Sequence, residues 1–111
     1  MKASWFVIPA ATVALMFAGH ANAADVEAGK VAFSNSVCKG CHAVDYEGYG
    51  PSYKDVGQKY SSVAGAKGIL TKNVLDGSKG VWGDENAMPP QRANVSDENL
   101  SAMLDYILSL K

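Results

Sequence analysis

The first 23 residues constrain the rest of the chain more than any other feature. Lys2 gives a positively charged start, Trp5 to Ala18 is apolar except for Thr12, and Ala21-Asn22-Ala23 is a small-x-small end. These are the parts of a secretory signal, with cleavage expected before Ala24. The apolar run falls short of the roughly 20 residues a membrane span needs, and Pro9 interrupts it. An uncleaved anchor would share the hydrophobic run but would not need the regular Ala-x-Ala end. The chain therefore divides into a leader, residues 1–23, and one domain, residues 24–111. Only 88 of the 111 residues remain to fold. A domain that short is marginal on its own core and gains from a staple or a bound group.

Composition narrows the classes. The chain is 48% hydrophobic and 19% charged, which excludes wholesale disorder. Its formal net charge is −1, and −2 once the leader is removed, so no basic footprint for nucleic acid exists. Periodicity and breakers give four short helical stretches. The first spans about Val26 to Asn35, with Asp25 as its N-cap. The second runs from Tyr53 to Tyr60, after the breaker Gly50-Pro51. The third covers Ala66 to Asp76, with Ile69, Leu70 and Val74 on one side, and stops at Gly77. The fourth starts at the N-cap Ser96, stapled by Val95 and Leu100, and continues through Met103, Leu104, Ile107 and Leu108. No segment alternates long enough to be a strand. A tight turn is expected at Gly80-Val81-Trp82-Gly83. The fold class is all-α.

Cys38-Lys39-Gly40-Cys41-His42 is the strongest chemical signal. On one helical turn, positions 38, 41 and 42 share a face. Two thiols at that spacing can each add to one vinyl group of a haem, and the imidazole after the second then points to the iron. This spacing is the attachment signature of a c-type haem. A redox dithiol would use the same cysteines but needs a βαβ context, and no strand pattern supplies one. A structural zinc site needs four ligands. After the leader the chain holds two Cys and one His, so the count fails. A plain Cys38–Cys41 disulfide would close a tiny loop and leave His42 unexplained.

A haem iron held by His42 needs a sixth ligand or an open site, and a Met thioether is the ligand that raises the potential of electron-transfer haems. Two methionines lie beyond the leader. Met103 sits in the apolar stripe of the last helix, where a core role is expected. Met88 precedes Pro89 and Pro90, in a segment that two prolines make rigid. Met88 is thus the expected ligand; its plainer role would be a packing residue on a loop.

The sequence resembles the short bacterial class I monohaem cytochromes c, the small periplasmic electron carriers. The resemblance rests on Cys38 to His42, on Gly50-Pro51-Ser52-Tyr53-Lys54-Asp55-Val56, and on Asp76-Gly77-Ser78-Lys79-Gly80-Val81-Trp82-Gly83. Met88-Pro89-Pro90-Gln91 and the final helix complete it, so it covers nearly all of residues 24–111 in the expected order. It implies about four short helices wrapped around one covalent haem c. Cys38 and Cys41 would form the thioethers, and His42 and Met88 would be the axial iron ligands. The carbonyl of Pro51 would accept the imidazole Nδ1–H. The Trp82 indole would reach a haem propionate, and the Gln91 amide would bond the Met sulfur. Where relatives often carry a basic residue near the propionates, this chain has Asn73, with Lys72 beside it. That departure leaves the propionate contacts of the region unassigned.

The expected function is one-electron transport in the periplasm, without stable membrane insertion and as a monomer. The donor would be a cytochrome or quinol-oxidising complex, and the acceptor a terminal reductase or oxidase. An enzymatic haem protein, such as a peroxidase or gas sensor, would need an open iron position and acid/base groups above it; the expected Met88 ligand closes that position. Gly29 and Phe33 are expected to meet the last helix near Tyr106, and Tyr46 and Tyr49 to cover the haem. The scattered lysines read as solvated surface, so docking would use an apolar patch at the haem edge with weak steering.

Overall fold

Serine hydroxyls start two of the helices. Ser52 Oγ accepts the Asp55 amide at 3.1 Å, and Ser96 Oγ accepts the Asn99 amide at 3.1 Å. Each satisfies an amide that the first helical turn leaves without a partner. The computed structural model describes residues 23–110; the leader before Ala23 lies outside them. Helix α1 spans Ala23–Ser34 and is followed by a 3-10 turn, Val37–Gly40. Helix α2 is Tyr53–Tyr60, α3 is Ala66–Asp76, and α4 is Asp97–Ser109. Between α3 and α4 lies a hairpin of β1, Ser78–Gly80, and β2, Gly83–Met88.

Two helices, α2 and α3, have the bounds their breakers imply. The first helix departs from expectation, because it is already helical at Ala23 and Asp25 sits in its first turn rather than at its cap. An acidic residue there still complements the helix dipole. On α3 the inward stripe is Ala66, Leu70 and Val74, at a spacing of one turn. Ile69 lies off that stripe and is 41% exposed, which corrects its assignment to the inner face.

The hairpin is the larger correction, since no strand was expected. Its strands are antiparallel, pairing Ser78 with Met88 and Lys79 with Ala87, around a loop at Val81-Trp82. Nothing alternates in Ser-Lys-Gly or in Gly-Asp-Glu-Asn-Ala-Met. The pairing comes from glycine turns instead: Gly80 and Gly83 take φ of 79° and 124°, values open to glycine at little cost. Asn86 Nδ2 donates to the Trp82 carbonyl at 2.9 Å and braces the loop.

Helix α4 is the common partner of α1, α2 and α3. At the α1–α4 crossing a side chain on Gly29 would strike the Ala102 carbonyl oxygen and lie 2.6 Å from Tyr106 Cβ. Gly29 thus permits the close approach expected of it. Phe33 turns toward α2, with its ring 4.7 Å from that of Tyr53. Leu100, Leu104 and Ile107 are buried along α4 in one cluster with Val56, Tyr60 and Leu70, and Met103 is buried beside them. Truncating one such leucine to Ala typically costs about 2–5 kcal/mol.

Candidate haem site

The Cys38 carbonyl organises the Cys-x-x-Cys-His segment. It accepts the Cys41 amide at 3.2 Å and the His42 amide at 2.9 Å, which folds both residues back over Cys38. Ser36 Oγ caps the turn by accepting the Cys38 amide at 3.2 Å. The turn is a short 3-10 segment rather than part of a longer helix. No disulfide joins Cys38 and Cys41; Cys38 is half-buried and Cys41 exposed.

His42 is held by the loop that follows it. Its Nδ1 lies 2.8 Å from the Pro51 carbonyl oxygen. A carbonyl can only accept, so Nδ1 carries a proton, and in the neutral ring Nε2 then keeps its lone pair. Gly50 gives the ring its room: a Cβ there would lie 2.8 Å from Nδ1 and 3.0 Å from Nε2. The loop is pinned by the Gly50 amide to the Cys41 carbonyl (2.9 Å) and the Tyr53 amide to the Ala43 carbonyl (2.9 Å). On the far side the Tyr53 ring stands 5.3 Å from the imidazole. Burial pushes the Tyr53 phenol well above its ordinary pKa. Sequence reasoning did not single out Tyr53; its place just after the Ser52 cap is the signal that could have found it.

Met88 is fixed from several directions at the end of β2. Its backbone pairs with Ser78, and its carbonyl lies so close to Gly77 that a Cβ there would stand 2.8 Å away. Gly77 has φ of 83°, so it both ends α3 and admits the Met88 backbone. Beyond the two prolines, the Gln91 amide donates to the Val74 carbonyl at 2.9 Å. The Gln91 side chain donates from Nε2 to the Pro89 carbonyl at 3.0 Å and accepts from Asn94 at 3.1 Å. One of its two N–H donors is therefore spent on holding the turn.

Cys38, His42, Pro51, Trp82 and Met88 all line one apolar cleft among α2, α3, α4 and the hairpin. It encloses about 670 Å³, counting space open to solvent. The buried Met103 also lines it, from within α4. Cys41 does not; it opens onto an adjoining groove that shares Cys38 and Met88 and includes Tyr49 and Gln91. Trp82 is half-buried, with Lys59 Nζ 5.3 Å from its ring centroid. Asn73 lines the cleft, whereas Lys72 is exposed and does not. Tyr49 stands at the groove mouth at 90% exposure. Tyr46 is 71% exposed and lines a separate groove beside Cys41, His42 and Tyr49.

These residues fit a c-type haem. An apolar cleft carries a thiol, an imidazole with its Nε2 lone pair unspent, and a thioether on a braced turn, with the second thiol at its mouth. Among the described residues no three His, Cys, Asp or Glu side chains converge as a metal site of the protein alone. The only strands among those residues form the antiparallel hairpin, so no βαβ unit supports a thioredoxin-like reading.

Comparison with known proteins agrees. The family model described as Cytochrome c matches residues 26–111. Cytochrome c-551 of Pseudomonas aeruginosa is 39% identical over 105 residues, covering 93% of this chain and 98% of that protein. Cytochrome c-552 of Nitrosomonas europaea is 40% identical over 111 residues, covering all of both. The crystal structure of Nitrosomonas europaea cytochrome c552 superposes with a TM-score of 0.67 at 36% identity, over 74% of this chain and 99% of that one. The chain belongs to the cytochrome c family, with the small class I fold and a covalently attached haem c as its cofactor, and electron transfer is its function.

Proposed function

We propose that this protein is a periplasmic one-electron carrier, matured by removal of residues 1–23, in which His42 and Met88 are the axial ligands of the haem iron. The observation that carries the reading is the cleft itself, where His42 and Met88 both contribute to the lining and His42 has Nε2 free to ligate. Bound there, the haem iron supplies a ferric–ferrous couple. The residues do the rest. Cys38 and Cys41 hold the group covalently. The Pro51 carbonyl fixes the imidazole tautomer and raises its basicity. Leu70, Leu100 and Leu104 exclude water from the cleft, and Met88 favours the reduced state. Exposed Cys41 and Tyr49 leave one edge accessible to a partner's redox centre. Among the described residues no helix is long and apolar enough to cross a membrane.

A carrier needs no vacant iron position, whereas a peroxidase or gas sensor does. Reduced wild-type protein should therefore bind carbon monoxide poorly, show negligible peroxidase turnover, and exchange electrons rapidly with a small redox protein. Met88→Ala should gain carbon monoxide binding. Ready binding by the wild type would overturn the carrier reading in favour of an enzyme or sensor.

A further inference from the structure

A haem brings two carboxylates into the cleft, on the side of the macrocycle away from the carbons that form thioethers. Removing carboxylates from water is costly unless cations and donors compensate them. The cleft's described lining contains no lysine or arginine. Away from Cys41, its polar lining includes Asn73, Ser78 and Trp82, which are donors but uncharged. One cation is tied to that corner: Lys59, in the last turn of α2, sits with Nζ 5.3 Å from the Trp82 ring centroid. Lys54 and Lys67 are engaged with Asp45 and Asp105, whereas among the described residues no carboxylate pairs with Lys59. Lys59 and Lys72 are both exposed and outside the cleft lining; of the two, Lys59 alone lies against a ring that lines it.

We propose that Lys59, stacked on Trp82, is the cation that compensates the haem carboxylates in this chain and thereby favours the reduced iron. It is a positioning residue acting through charge, and the proposal rests on the haem occupying this cleft as described above. The ring holds the ammonium by attraction to its face. A positive charge near the iron favours the state with the lower positive charge, which is ferrous. Placing the cation on α2 leaves the α3 position free to be Asn73.

The test compares wild type, Lys59→Gln, Lys59→Arg and Lys72→Gln, each with haem attached, in redox titrations at low and high ionic strength. A unit charge acting through a partly solvated medium shifts such an equilibrium about twofold to tenfold over roughly 10 Å. Lys59→Gln should move the ferric-to-ferrous ratio toward ferric by that factor at low salt, and less at high salt. Lys59→Arg should restore the wild-type ratio, which a lost packing contact would not do. Lys72→Gln should shift the ratio by less than half as much. An unchanged ratio in Lys59→Gln, or an equal shift in Lys72→Gln, overturns the proposal. Absence of a thioether-linked haem spectrum in the wild type would overturn the parent reading as well, so the two failures are distinct.

Discussion

Replacing Gly50 by Ala adds one methyl group against the imidazole of His42. Gly50 is not among the residues with positive φ, so alanine meets no left-handed backbone strain there. The effect must come from contact. The new Cβ would stand 2.8 Å from Nδ1 and closer still to Cε1, where ordinary contact begins at 3.4 Å, so the ring must recede by roughly 1 Å. That movement carries the Nδ1–H away from Pro51, from 2.8 Å toward the limit of a hydrogen bond. Leaving such a donor unsatisfied costs about 1–3 kcal/mol. The stiffer unfolded chain returns about 0.4–1 kcal/mol, so the net loss should centre on roughly 1.3 kcal/mol and stay below about 2.6 kcal/mol. Gly68 supplies the control, since nothing lies within 4 Å of its Cβ position inside α3. Gly68→Ala should stabilise by about 0.5–1 kcal/mol. Denaturant unfolding of the haem-loaded proteins measures both. If Gly50→Ala is as stable as wild type, the argument that Gly50 seats His42 is wrong.

Other outcomes follow from the same geometry. The unfolded chain releases its Tyr53 proton near pH 10 while the folded chain retains it, so this group's contribution is complete below pH 10 and lost as pH rises above it. Alkaline unfolding titrations should show stability falling by about 1.4 kcal/mol per pH unit from this group, and Tyr53→Phe should remove that part of the slope; an unaltered slope would show the phenol to be solvated. The mature protein should keep its haem after denaturation in acid and detergent, and intact mass should exceed that of the bare chain. Free extraction of haem from the wild type would refute attachment at Cys38 and Cys41, and only the double alanine variant should release it.

The helices were legible because their ends carry the information. Ser96 is a local cap, and Gly77 and Pro51 are local breakers, so neighbouring residues suffice to place α2, α3 and α4. Cys38, Cys41 and His42 were legible for the same reason: one turn of backbone brings them together. The hairpin was not legible, because its strands bury no alternating face and are joined by glycine geometry that no periodicity reports. The contact of Lys59 with Trp82 was equally hidden, since it joins the end of α2 to a loop beyond α3 and exists only after both pack on the cleft. Ile69 was misplaced because hydrophobic character alone does not say which side of a three-residue apolar set faces inward.

The most direct test of the account is the iron–sulfur charge-transfer band of the ferric haem-loaded protein, measured in the wild type and two variants. The wild type should show the band, Met88→Ala should lose it, and Met103→Leu should retain it, because a volume-conserving swap in the α4 core costs under about 1.5 kcal/mol and touches no ligand. A band that survives in Met88→Ala, or vanishes in Met103→Leu, would contradict ligation by Met88.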